Sequence, residues 1–559
     1  MKRFLSIVVC GCLMGAAALQ AQAPPKTAAH AAKAAPVLAP EDFHHYFTTF
    51  IHQEEEATGK PGADSWQWMA ANIPWFESSN KEFEEIYYFR WYSFQKHIVH
   101  TDAGDVIDEF LFKVKWAGYG NTVAVAVPHQ LREARWTRDK TLAESDARFW
   151  LSPLATHNHD FSLALSDAAR SVTLANGDTQ FAVDLLPRMV DYYKTWEKAN
   201  QDSNGLFWSI DTRDGMEVSI SGDGYRPTLN SYMYGDAKAI ERLAAIKGDT
   251  ALSQEYAQKA DEQKARIESL MWNPSDNFYE VLSPLADSGI RQRPKFKDKH
   301  LPPMTFADVR EAIGFIPWYF DIPAPEHAVA WKQLYDPQGF AGAFGPSTAE
   351  RRSPRFLYAN ADQCQWNGYM WGFTTTQTLV GLANLLNDQK QDYVSNQDYL
   401  NLFSAYVRSH RLRLPNGDTI PWLDESMDPN TGEWVTRRLL KERNSPLAGR
   451  GAYYDHSGFI DPLITGLIGL RPRDDNRIIL NPLLPPGAWD YFALDGLPYH
   501  GHILTIVYDK AGQHYHRGAG LRLLIDGRLA ASRPELGPLQ ADLPATPGHR
   551  ALATTKAQR

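Results

Sequence analysis

The sequence predicts a mainly α protein of repeated helical hairpins closed by a small β unit. Three observations carry that expectation. Apolar residues recur at helical spacing in paired runs through most of residues 41–472. Two-residue breaks such as Gly248-Asp249 separate the runs. After Arg473 the pattern changes to short β-type stretches.

In chain order, Met1-Lys2-Arg3, the apolar Phe4–Leu19 and the small residues ending at Ala23 have the three regions of an export signal. Cleavage after Ala21 or after Ala23 is expected, with lipid attachment at Cys12 as the alternative. The mature protein is therefore expected in the periplasm or outside the cell. Residues 24–40, rich in Ala, Pro and Lys, are expected to form a disordered lead-in.

Helical spacing begins at Phe43 and continues through Trp66–Met69 and Phe83–Ile98, where Tyr87-Tyr88-Phe89-Arg90-Trp91-Tyr92 supplies an aromatic face. Alternation in Val106–Val114 and Thr122–Val127 predicts a short β excursion near 105–128, with helices resuming near Leu142. Leu229, Tyr232, Met233, Ala237, Ile240 and Leu243 share one helix face. Leu252, Tyr256, Ala260, Ile267 and Leu270 share the next, so the two form an αα-hairpin. Further pairs are expected at Thr374–Leu386 with Tyr399–Val407, and at Ile460–Leu470. The β unit is placed at 473–532, with strands in Asn476–Leu480, Ile503–Tyr508 and Leu521–Ile525, a hairpin at Asp526-Gly527, and a loose tail over 533–559.

A formal net charge of -9 argues against nucleic acid or an anionic membrane surface as the main partner. No stretch after the signal is long and apolar enough to span a bilayer. The three cysteines leave Cys364 alone once Cys10 and Cys12 are assigned to the signal, so neither a disulfide framework nor a thiolate metal cluster is expected. His157-Asn158-His159-Asp160 lacks a matching third ligand cluster, so no metal and no cofactor are expected. Monomer and dimer both remain open.

The segment Ile420–Trp434 places Asp424 and Glu425 between Trp422 and the turn Asp428-Pro429-Asn430-Thr431-Gly432. A carboxylate beside a flat aromatic surface suits sugar chemistry, because the ring packs on a sugar while the acid handles a proton or a water. The 17 Trp and 25 Tyr offer many such platforms, although most are expected to be core.

Four stretches together resemble the clan of inverting (α/α)6-barrel glycosidases that includes glycoside hydrolase family 63, the trehalases and the mannosylglycerate-hydrolase-like proteins. They are Asp211–Met233, Gln365–Trp371, Leu423–Gly432 and Tyr453–Leu470. Asp211–Met233 resembles the clan's general-acid loop, with Met216-Glu217 where the clan usually has Trp-Asp. Gln365–Trp371 is similar to W-x-G-P-x-W, with Tyr369 in the place of proline.

The resemblance implies an (α/α)6 barrel and an inverting, exo-acting glycoside hydrolase cleaving an oligosaccharide or polysaccharide fragment. It implies Glu217 as general acid, with Asp214 as the other choice, and Glu425 as general base. Trp366, Trp371, Trp422 and Trp208 are candidate ring platforms, and Asn367, Arg226 and Asp160 are candidate sugar-binding groups. A phosphorylase or polysaccharide lyase on a similar helical toroid, and a carbohydrate-binding barrel without catalysis, are the alternatives.

Overall fold

A computed structural model describes residues 36–60, 62–283, 304–358 and 365–544. The export signal, most of the lead-in, Cys364 and the end of the tail lie outside the described residues. The architecture is mainly α with a C-terminal antiparallel sheet, as the sequence predicts.

The αα-hairpin of the sequence is the best-defined unit. Helix Pro227–Lys247 begins with proline at its first position, where the missing N–H costs nothing, and ends at Gly248, whose φ of 82° suits a residue without Cβ. Asp249 then caps Thr250–Arg266 by accepting from Leu252 N. The aromatic helix Lys81–Lys96 is capped in the same way, with Asn80 accepting from Glu82 N and Phe83 N. Asn396–Ser409 has a capping box between Ser395 and Asp398.

Polar clamps join early and late helices around the interior. Glu133, at the end of helix Val127–Ala134, accepts from the backbone N–H groups of Phe459, Ile460 and Asp461 at 2.8–3.1 Å. These donors begin the final helical segment and have no partner within it, so a carboxylate there satisfies them. Arg135 and Trp136 hold Asp461 from the same side. Arg90 crosses the core to Tyr406 and Ser457, tying three chain-distant segments together.

The C-terminal sheet has the order Trp75–Ser78, Tyr491–Tyr499, His502–Asp509, Gly520–Ile525, Arg528–Arg533, all antiparallel. Its first strand comes from the amino-terminal part, in register Trp75↔Asp495 and Phe76↔Leu494. The helical part and the β unit are thus hydrogen-bonded to each other, not merely packed.

Three expectations are corrected. The β excursion is only the hairpin Ile98–Thr101 with Gly104–Ile107; Val123–Val127 is buried on every side as a 3-10 turn entering a helix. Alternating Val and Ala there marks no face, because both residue types pack equally well inside. The tail is not loose throughout, since Leu539–Asp542 pairs with Arg477–Leu480 and Leu536, Leu539 and Leu543 cover apolar surface. The lead-in is docked by residue 37: Val37 N and Leu38 N donate to Asp495 Oδ2 at 2.6 and 3.0 Å, and Leu38 is buried.

Candidate active site

Glu217 and Glu425 line one cavity of about 380 Å³, within the range of about 300–1,000 Å³ usual for ligand pockets. Aromatic and aliphatic side chains make most of its wall, including Phe110, Trp116, Phe161, Trp366, Trp371 and Tyr454. The β unit contributes none of the lining residues. Asp495 instead accepts from the lead-in and from Thr505, and Asp509 accepts from the backbone of its own turn.

Two short strands place Glu425. Thr419–Pro421 pairs with Arg411–Arg413, and Ser426–Met427 pairs with Met370–Trp371, so the intervening Trp422–Glu425 has no freedom to swing. Asp428 Oδ1 then accepts from Asn430 N and Thr431 N at 2.8 and 3.1 Å, which makes the D-P-N-T-G segment a self-capped turn. The Glu425 carboxyl is buried and paired with Arg450, Nε donating to Oε1 at 2.6 Å and Nη2 to Oε2 at 2.9 Å. Burial pushes its pKa above the ordinary glutamate value while Arg450 opposes the shift. Gly451 is required for close approach, because a Cβ there would sit 2.1 Å from Asp424 Oδ1.

Glu217 lies in the loop between strands Trp208–Ser209 and Gly224–Tyr225. Trp366 fixes this loop with two donors, its indole Nε1 to Gly215 O at 2.5 Å and its backbone N to Glu217 O at 3.2 Å. The next residue, Val218, has a φ of 66°, a left-handed conformation that a β-branched side chain resists. Strain of this kind, at a position held by its surroundings, accompanies functional loops. Glu217 Oε2 is buried with no hydrogen-bond partner. Burial pushes the carboxyl up to about 7; Asp211 and Glu425 add to the rise, and the backbone and Arg450 oppose it.

Asp214 also reaches the cavity, but its Oδ2 accepts from Arg226 Nε and Thr228 Oγ1. Arg226 itself is fully buried and further occupied by Ser221 and the Gly222 carbonyl. It braces the acid loop and does not line the cavity, contrary to the expectation that it meets a sugar. Removing it strands a buried carboxylate, so Arg226→Ala is expected to destabilise the protein by about 3–5 kcal/mol, read by urea unfolding. A loss under about 1 kcal/mol would show that the brace is dispensable.

Of the other candidate platforms, Trp366 and Trp371 line the cavity and stack at 5.0 Å. Trp422 and Trp208 do not. Trp422 is buried behind Asp424, donating to it at 3.2 Å with Arg437 over its ring, and Trp208 packs edge-on to Tyr225. Asn367 is buried outside the lining, and Asp160 sits at the surface paired with His157. Chain position alone does not tell which face of a loop a side chain takes, and that accounts for all four.

Sequence reasoning passed over Glu109, Arg450, Tyr454 and His456, which all line the cavity. Tyr454 and His456 stack at 3.9 Å. His456 Nδ1 lies 3.2 Å from Tyr454 O and burial holds the ring well below its usual pKa, so the neutral ring donates there and leaves Nε2 as a bare acceptor. His456 falls within a stretch, Tyr453–Leu470, already singled out for its helix, and Arg450 lies just before it.

Residues 119–457 match the profile of the mannosylglycerate hydrolase MGH1-like glycoside hydrolase domain. The chain belongs to this MGH1-like family. Glu217 and Glu425 lie inside the matched span, and the (α/α)6 barrel with its C-terminal β unit is the fold class that goes with it. Residues 470–531 match the C-terminal domain of glycosyl hydrolase family 65, so the β unit has a profile of its own.

A solved sialidase structure is 37% identical to this MGH1-like chain with a TM-score of 0.81, covering 90% of this chain and 45% of that chain. An uncharacterized protein of Borreliella burgdorferi is 29% identical over 152 residues, 27% of this chain and 28% of its own length. The present chain thus spans less than half of each. The GH63 mannosylglycerate hydrolase from Thermus thermophilus in complex with glucose is 11% identical, covering 67% of this chain and 98% of that chain, with a TM-score of 0.45. No helix of the described residues is long and apolar enough to cross a membrane. Among the described residues no group of three or more His, Cys, Asp or Glu forms a metal-binding cluster.

Proposed function

We propose that the chain is an exported, inverting, exo-acting glycoside hydrolase in which Glu217 is the general acid and Glu425 the general base. The carrying observation is the contrast between two carboxyls of one cavity. Glu217 has an unpartnered, buried oxygen and a raised pKa, which suits a group that must hold a proton for the leaving oxygen. Glu425 is clamped by Arg450, which favours the ionised form that a base requires. Asp214 is the weaker acid candidate because its Oδ2 is already an acceptor in an ion pair.

Export is supported by the basic, apolar and small-residue pattern of residues 1–23. The charge of the cavity favours a neutral glycone. Glu109, Glu217 and Glu425 face it, while the guanidinium of Arg450 is held by Glu425. A phosphate, a uronate or a sialic acid would find the cationic side chain of this lining already engaged by Glu425, which also counts against the phosphorylase and lyase alternatives.

The testing experiment is a product screen over α-glucosides, α-mannosides, rhamnosides and arabinosides, with a sialoside as the acidic control. Release of reducing sugar without added phosphate supports the reading. Sugar phosphate, an unsaturated product, or no turnover on any glycoside would overturn it.

The pH profile supplies a second check. Glu217 must be protonated, so kcat/KM is expected to fall as pH rises through about 7. Glu425 must be ionised, so the acid limb is expected above the ordinary glutamate value. On a substrate with a good leaving group, Glu217→Gln is expected to lose the limb near 7. An unchanged limb would assign that titration elsewhere.

A further inference from the structure

Beyond the catalytic pair and the ion-paired Asp214, the cavity holds a carboxyl that the two-acid mechanism does not use. Glu109 is 1% exposed, lines the same wall as Glu425 and Tyr454, and its Oε1 is buried without a hydrogen-bond partner. Its backbone is held on both sides and through its own carbonyl. Gln130 Nε2 donates to Asp108 O at 3.0 Å, Asp455 N to Glu109 O at 3.0 Å, and Asn121 Nδ2 to Phe110 O at 2.7 Å. His97 Nδ1, 2.8 Å from Asp108 Oδ1, anchors the preceding residue.

A carboxyl kept in an apolar cavity with an open oxygen is costly, since an unsatisfied buried polar atom loses its water without replacement. Such a group persists where something supplied later completes it. The groups facing Glu109 are Glu425, Asp455, Glu217 and the Tyr454 hydroxyl. Burial pushes its pKa well up, the Tyr454 hydroxyl opposes the shift, and the three acids add to it. In the neutral form it offers an O–H donor and a carbonyl acceptor, the pair that a sugar hydroxyl matches.

We propose that Glu109 is the specificity-determining contact for the bound glycone, its unpartnered carboxyl oxygen engaging one ring hydroxyl of the sugar. This rests on the glycosidase reading of the same cavity. Glu217 and Glu425 act on the scissile bond, and Glu109 selects which sugar is presented to them.

The test uses the glycoside that the wild-type chain hydrolyses and its monodeoxy analogues, measured with wild type, Glu109→Gln and Glu109→Ala. In the wild type, one deoxy position is expected to lower kcat/KM on the order of 10²-fold, the size of one strong hydrogen bond. In Glu109→Ala that same position is expected to cost within about three-fold, because its partner is gone, while penalties at the other positions stay as they were. Glu109→Gln keeps a donor and an acceptor, so it is expected to recover part of the discrimination. The melting temperature of Glu109→Gln is expected to hold or rise, since a buried carboxyl is removed; a merely structural role would lower it.

Deoxy penalties that are independent of residue 109 at every position overturn the proposal. So does a Glu109→Gln variant that melts lower and loses all substrates equally. Absence of wild-type hydrolysis removes the glycosidase reading, and this inference with it. Hydrolysis with no coupling to residue 109 removes the inference alone.

Discussion

Glu425→Gln is expected to lose turnover on every substrate, by ~10²–10⁴ or more, whereas Glu217→Gln is expected to be partly spared when the leaving group is good. The difference follows from what each carboxyl would do. A proton from Glu217 is needed only to the extent that the departing oxygen cannot carry its own charge, so an activated aryl leaving group bypasses it. Water must lose a proton whatever leaves, so no substrate relieves the loss of Glu425. Gln nearly preserves shape in both variants, and KM is expected to move little. Proton NMR of the freshly released sugar completes the test: the anomer is expected to be inverted, as in enzymes where a base holds water on the face opposite the departing group. A retained anomer, or near-normal turnover by Glu425→Gln, would show that the mechanism is wrong even if the barrel is right.

Much of the fold was legible because helix periodicity and caps are local. The Pro227–Lys247 and Thr250–Arg266 hairpin is written in Pro227, Gly248 and Asp249. Strand Trp75–Ser78 was not legible, because its partner Tyr491–Tyr499 lies some four hundred residues later and no local pattern announces so distant a pairing. The π-helical segments Ile267–Met271 and Leu463–Leu467 carry the apolar spacing of ordinary helix, since a one-residue widening of the turn barely changes it.

The site divides along the same line. Glu425 could be picked out as a candidate because an aromatic and a turn flank it, and Glu217 because its loop resembles the clan's general-acid loop. Arg226 and Trp422 sit in those same stretches but turn inward to brace the loops, a choice that depends on Asp214 and Asp424 being buried behind them. Glu109 and Arg450 gave no local signal at all. Their importance comes from what they face, which only the closed structure determines.

Arg450 gives the second effect: Arg450→Met is expected to lower activity at neutral pH and to move the acid limb of the pH profile upward. Glu425 is buried, and burial alone favours the protonated form; the two donors of Arg450 are what oppose it. With Met in place of Arg, the pKa of Glu425 in the folded protein moves further up. The sign is then fixed, because a carboxyl that binds its proton more tightly is a base only at higher pH. The acid limb of kcat/KM should climb toward the limb set by Glu217 near 7, and the two should close on each other, leaving a low, narrow bell. Where the two limbs meet, loss at neutral pH is expected to be about three-fold, growing about ten-fold for each further unit by which the Glu425 pKa rises. Arg450→Lys keeps a charge but not the two-pronged geometry, so it should recover only part of the rate and return the acid limb toward its original place. If Arg450→Met retains an unshifted acid limb, Arg450 is not what keeps Glu425 ionised, and the carboxyl that acts as base must be sought elsewhere on the cavity wall.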